Sequence, residues 1–191
     1  MRYERQHKEQ THRRIVECAA RHFRSEGMNG PGVAKLMKAS GLTVGGFYKH
    51  FRSKDDLLTE AVDASVCDVA ARVAEWAKHG PTGEAWKEIV KRYLSPEHCE
   101  HPAIGCPMAA LAPDIARTRP ATRRKIQASM EVYKKQIKEF MPGTNSGEKE
   151  RNFTLIFTAM VGALSVARTL PDEEEKKKVL GLVRDHLLAS F

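Results

Sequence analysis

Cysteine is scarce in this chain. Four residues at irregular spacing in a length of 191 exclude a disulfide framework and read as reduced cytosolic thiols. Long hydrophobic runs are missing too: no stretch reaches 18 uninterrupted apolar residues, so no membrane span is expected. The first residues, MRYERQHKEQ, contain no apolar h-region, which argues against secretion and makes a cytoplasmic location the expectation. There is no low-complexity tract, and nowhere does the period-two alternation of a half-buried strand occur. Phosphate-cradling glycine motifs and local oxyanion loops are absent as well, so no catalytic residue and no cofactor is assigned, and the chain is not expected to be an enzyme.

What is present is positive charge and helical periodicity. Net charge is +8, and residues 1–60 hold 12 Lys and Arg against 7 Asp and Glu, a surplus of +5 in under a third of the chain. That distribution is the footprint of a phosphate-binding surface, with a solvated basic face as the alternative. Within it lies the stretch VAKLMKASGLTVGGFYKHFRSKDDLL, residues 33–58. Val33, Leu36 and Met37 form one apolar helical stripe. Gly41 breaks that helix, Leu42 anchors the turn, and Thr43 is placed to cap a second short helix. Phe47 and Phe51, four apart, mark the buried side of the second helix. Thr43, Val44, Gly45, Tyr48, Lys49 and His50 mark its other side. Two short helices joined by a glycine turn, the second with a thin basic and hydroxyl-bearing face, form the layout of a helix-turn-helix reader.

Gly45 and Gly46 each cost about 1 kcal/mol relative to Ala in so short a helix. Close approach of the backbone to a DNA strand is one reason for them, and small residues packed under a neighbour are the other. Ser53 and Asp56 form an S-x-x-D capping box that puts Lys54 in the first turn of a third helix. Tyr48, His50 and Lys54 are then placed to meet phosphate oxygens, while Thr43, Val44, Gly45 and Lys49 are placed to meet base edges.

The pattern Gly41-Leu42-Thr43-x-Gly45-x-Phe47-Tyr48-x-His50-Phe51-x-Ser53-Lys54-Asp55-x-Leu57 resembles the TetR family of bacterial transcriptional regulators. Ile15, Ala19, Ala20, Phe23 and Gly27 fit that family's first helix, so the resemblance covers roughly residues 10–60. There are departures. Pro31 and Gly32 stand where the family commonly has Thr or Ser opening the first reader helix, which removes a phosphate-contacting hydroxyl. Met37 and Ser40 stand where Ala is usual. The resemblance implies a homodimeric, ligand-responsive repressor that binds a palindromic operator in double-stranded DNA.

Beyond the reader the periodicity predicts an all-α architecture: an N-terminal three-helix helix-turn-helix domain (residues 1–56) and a helical ligand-binding and dimerisation bundle (57–191). Residues 10–25 form the first helix, and 53–78 a long helix that links the two halves. Helices follow at 84–94, 107–117 and 121–140, with irregular loops at 95–105 and 142–147. Residues 153–170 are apolar nearly all round, with Phe153, Phe157, Met160 and Leu164 on one side and Ala159, Gly162, Ala163 and Val166 on another. The last helix, 173–191, offers Glu173/Lys177 and Glu174/Lys178 as i,i+4 pairs. These two helices resemble the dimerising pair of TetR-like proteins, so residues 153–191 are the expected homodimer surface.

Reactive side chains crowd only into residues 94–108, with His98, Cys99, His101 and Cys106. Their spacing matches no standard zinc pattern, and no metal is assigned. Cys106, at the start of a helix, is open to two further readings: a thiol sensor activated by the helix N-terminus, or a small apolar residue lining a pocket. A Cys–His nucleophile is the remaining possibility. An unknown small-molecule effector is expected to lie against Cys106, Met108, Leu111, Met130, Tyr133 and Phe157, chosen for apolarity and position.

Overall fold

The computed structural model describes residues 2–30 and 32–191. Among the described residues nine α-helices follow one another: α1 Arg2–Glu26, α2 Val33–Ala39, α3 Lys54–Lys78, α4 Ala85–Tyr93, α5 Pro96–Glu100, α6 Pro107–Ala116, α7 Pro120–Ile137, α8 Ser146–Ala167 and α9 Glu173–Ser190. Single 3₁₀ turns lie at Val44–Lys49, Pro102–Ile104 and Lys138–Phe140. No strand occurs among the described residues. The fold is all-α, with the helix-turn-helix at its N-terminal end.

Local chemistry explains the boundaries. Gly27 and Gly41 both adopt positive φ, +74° and +70°, where a side chain would be strained. After α2 the Leu42 N–H donates to the Met37 carbonyl (2.8 Å) and the Gly41 N–H to that of Lys38 (2.9 Å). These paired bonds make a Schellman stop, with Leu42 packed against the core. Four helices start at a side-chain cap: Ser53 accepts from the Asp56 N–H, Ser95 from His98, Asn145 from Glu148 and Asp172 from Glu175. Helices α6 and α7 instead open on Pro107 and Pro120, residues whose missing N–H costs nothing there.

Helix α3 is the axis. It packs against α1, α4 and α7, while α8 pairs with α9. The buried apolar residues form one continuous core, from Ile15 and Phe23 through Leu57 and Val62 to Tyr93, Leu111, Ile156 and Leu164. Polar ties add to this packing, two of them between the reader and the bundle (Asp55 and Met28) and one within the bundle (Asp63). Asp55 Oδ2 accepts from Arg119 Nε at 3.2 Å, Asp63 Oδ1 from the Ser129 hydroxyl at 2.6 Å, and Asp114 Oδ2 from the Met28 N–H at 3.2 Å.

The structure corrects several sequence expectations. Thr43 holds the cap position of the reader turn with extended backbone, but its side chain makes no capping bond, and the turn is 3₁₀ instead of α. Residues 95–105 are not an irregular loop: Ser95 caps α5, and the Pro102–Ile104 turn follows. Helix α8 begins at Ser146, a full two turns before residue 153, because Asn145 is a good cap. Its apolar sides are not all covered within the chain: Phe153, Met160, Ala163 and Leu164 are buried, whereas Leu155 and Val166 are about half exposed (50% and 52%). On α9 the ion pairs form at i,i+3, Glu173 with Lys176 and Glu174 with Lys177, since three glutamates followed by three lysines give each cation a partner at either spacing. Pro31, the first departure from the family pattern, lies outside the described residues.

Candidate nucleic-acid interface and effector pocket

Phe47 and Phe51 hold the reader turn to the core, their rings 5.5 Å apart, with Phe51 stacked on His12 at 4.6 Å. This anchoring turns the rest of the segment outward. Thr43, Val44, Gly45, Tyr48 and Lys49 are all exposed; Tyr48 is 75% exposed and stands edge-on to Phe47. At Gly45 an added Cβ would meet nothing within 4 Å, and at Gly46 only Met37 Cε at 3.5 Å. Neither glycine has positive φ, so the fold itself places no demand for glycine at position 45.

His50 is half-buried, with Nδ1 buried and unpartnered among the described residues. Burial, and after it the nearby His12, Lys8 and Lys49, push its pKa down. The Lys54 ammonium lies over the Phe23 ring, 5.9 Å from its centroid. Burial lowers its pKa, with Asp114 opposing. Lys35 is held by Glu26 at 2.6 Å. Lys38 and Arg52, beside the reader turn, are exposed and form no ion pair among the described residues. Sequence reasoning passed over both: they occupy unconstrained positions of the motif, and only their exposure singles them out.

In the second half, Cys106, Met108, Met130, Tyr133 and Phe157 line one apolar void of about 10 Å³, together with Val66, Val69 and Pro107. That is about the room of one water-sized probe, too little for a small-molecule guest with the side chains as they stand. Leu111 is fully buried and is not among the residues lining it. Cys106 is the N-cap residue of α6 and is only 2% exposed. Burial holds the Tyr93 and Tyr133 phenols well above their ordinary pKa.

His98 organises the segment leading to Cys106. Its Nδ1 lies 2.8 Å from the Tyr93 carbonyl, and its Nε2 accepts the Cys106 N–H at 3.2 Å. A carbonyl only accepts and an amide N–H only donates, so the ring is the neutral Nδ1–H tautomer. Burial takes its pKa down to about 4. With both nitrogens committed to backbone groups, His98 has no lone pair left for a metal or for the Cys106 thiol. Among the described residues no group of three His, Cys, Asp or Glu is arranged to hold a metal ion. All four cysteines are free; burial raises the pKa of Cys67 and Cys99, which keeps those thiols protonated.

An exposed helix-turn-helix joined through one long helix to a helical bundle is an architecture shared with all-helical transcriptional regulators. Residues 15–61 match the model described as bacterial regulatory proteins, tetR family. The chain is similar to the HTH-type transcriptional regulator AcrR of Shigella flexneri, with 29% identity over 77 residues that span 40% of this chain and 36% of that protein. Among solved structures it resembles a TetR transcriptional regulator of Chloroflexus aurantiacus, at 26% identity and TM-score 0.74, over 95% of this chain and 93% of that one. The fold is also shared with the transcriptional regulator FadR of Bacillus subtilis, solved with stearoyl-CoA, at 15% identity and TM-score 0.67, over 93% and 98% of the two chains. None of the helices is long and apolar enough to cross a membrane among the described residues.

Proposed function

We propose that this protein is a TetR-family, ligand-responsive repressor that binds a palindromic operator as a homodimer. The observation that carries the reading is the reader turn, where Thr43, Val44, Gly45, Tyr48 and Lys49 stand clear of the fold and Gly45 has no internal reason to be glycine. In this reading Thr43, Val44, Gly45 and Lys49 meet base edges, Val44 against a thymine methyl group. Tyr48, His50 and Lys54 meet phosphates; Lys54 must leave the Phe23 ring to do so. Residues 1–56 act as the reader and 57–191 as the responding bundle, with α3 shared between them. Selection of bound sequences from a random duplex pool tests this: a recovered palindrome is expected, and recovery of no preferred sequence would overturn it.

Dimerisation is supported by the open face of α8 and α9, where Leu155, Val166 and Leu182 are at least half exposed and Gly162 faces open space. Val166→Glu is expected to give a monomer in sedimentation. Response to an effector is supported by the void under α6, walled by Met108 and Met130, whose flexible side chains can repack around a guest; FadR, of the same fold, was solved with a small-molecule ligand. A ligand that wedges this void open would shift α6 against α1 and α3 and change the spacing of the two readers. A thiol-sensing reading rests on Cys106 at the N-cap of α6. It requires Cys106→Ser to abolish release of DNA by oxidants, and an unchanged oxidant response removes it.

A further inference from the structure

Three arginines from three helices converge on residues 98–105, and none forms a direct ion pair among the described residues, although Asp68 lies near enough to favour the charge on Arg24 and Arg72. Arg24, in the last turn of α1, donates from Nη1 to the Gly105 carbonyl at 3.4 Å. Arg72 of α3 donates from Nη2 to the Ile104 carbonyl. Arg168, which ends α8, donates from Nε to Cys99 O at 3.1 Å and from Nη2 to His98 O at 2.9 Å. Each still keeps one buried nitrogen with no acceptor: Nε of Arg24, Nε of Arg72 and Nη1 of Arg168. Arg24 is only 5% exposed. A guanidinium that deep is ordinarily paired with a carboxylate, yet no carboxylate oxygen of a described residue lies within 4 Å of any of the three.

The crowding has a backbone signature. A Cβ at Gly105 would sit 2.9 Å from Arg168 Nη2 and 3.0 Å from His98 Nε2, so glycine lets the arginine close on this strand of chain. Burial, and after it the Arg72 charge, bring the Arg24 pKa down to about 10; Arg72 and Arg168 are lowered by burial as well. All three remain cations at neutral pH. Arg24 and Arg168 face a common cleft of about 530 Å³ between α1, α6, α8 and α9, lined also by Ser25, Ser165, Lys176 and Glu100. Lys176 is paired with Glu173, and the exposed Glu100 carboxylate offsets one of the two arginines, so the lining keeps an excess of positive charge.

We propose that this cleft is an oxyanion site, in which the carboxylate or phosphate group of a small molecule bridges Arg24 and Arg168. An oxyanion supplies the charge-assisted acceptors that the backbone carbonyls only partly replace. It also offsets the repulsion between Arg24 and Arg72. Because Arg24 belongs to the reader's first helix and Arg168 to the bundle, the bound anion ties the two halves together. Its effect on operator affinity, though not its binding, rests on the repressor reading above.

Inorganic phosphate and acetate are the probes, titrated against the full chain at constant ionic strength with chloride as balance. Phosphate, acetate or both should raise Tm saturably, and which does so distinguishes the two chemistries. Arg24→Met and Arg168→Met should each weaken the responding anion about tenfold or more, Arg24→Lys should weaken it less, and Lys49→Ala should leave the response intact. The side-chain Nε–H resonances of Arg24 and Arg168 should move on addition, a readout in the unaltered protein that does not depend on how the variants fold. No Tm response to either anion, a response that survives both methionine variants, loss of the response in Lys49→Ala, or shifts confined to exposed arginines would each overturn the site. Duplex binding measured in parallel separates the two readings: operator binding without an anion response sinks only the cleft, and an anion response without operator binding sinks only the repressor.

Discussion

The reader turn and the segment before α6 carry opposite designs. In residues 43–49 the polar and small residues point away from the molecule and make few internal bonds, so the turn is free to bond to something else. In residues 95–106 Glu97, Glu100 and His101 are exposed, but the backbone is tied inward: Ser95 caps α5, His98 bridges two backbone groups, and arginines from three helices clamp the carbonyls. In the proposed function the first region binds DNA at little cost in stability. The second carries stability, and any response to a ligand there must disturb bonds the fold depends on.

Substitutions can break this contrast, and the largest effect is expected at His98. His98→Ala removes the partners of the Tyr93 carbonyl and the Cys106 N–H and should cost about 2–4 kcal/mol in urea unfolding. A change within about 0.5 kcal/mol would place the segment on the same footing as the reader. Next comes pH. His98 has an unfolded pKa near 6.5 and a folded one of about 4, so the unfolded chain binds the extra proton between those values. Stability from this group is complete above pH 6.5 and is lost as pH falls through 4, by roughly 3 kcal/mol; His50, lowered in the same direction, adds to the loss. A flat unfolding free energy between pH 7 and 4 in wild type, or the same decline in His98→Ala, would contradict that assignment.

The reader should behave the other way. Lys49→Ala is expected to leave Tm unchanged and to cost about 1–3 kcal/mol of affinity for the selected duplex while relaxing its sequence preference; loss of Tm without loss of affinity would reverse its role. The smallest effect is expected at Lys54. Lys54→Ala should weaken all duplexes alike and reduce the salt slope by about one, and a changed sequence preference would show that it reads bases.

The same contrast explains what could be read from the chain. The reader is written within 26 consecutive residues, 33–58, so spacing alone locates its helices, the Gly41 stop and the Ser53 cap. The long stripes of α3, α7 and α9 are legible for the same reason. The arginine cluster is not, because Arg24 meets Gly105 across 81 residues and Arg168 meets His98 across 70. No local pattern announces either meeting. Helix α5 was hidden by its two flanking prolines, although Ser95-Pro96 is itself a helix start. Of the pocket residues, those chosen for apolarity on facing helices meet at one void, while Leu111 is plain core, a distinction that depends on helix rotation.

The central claim is that residues 43–54 form a cationic face for a duplex, and the salt dependence of binding to the selected palindrome tests it most directly. Several Lys and Arg contacts to phosphate should release as many counterions, so affinity should fall by roughly a thousandfold or more between about 50 and 200 mM salt. Absence of binding at the low-salt end, or affinity that does not change across the range, would contradict the account.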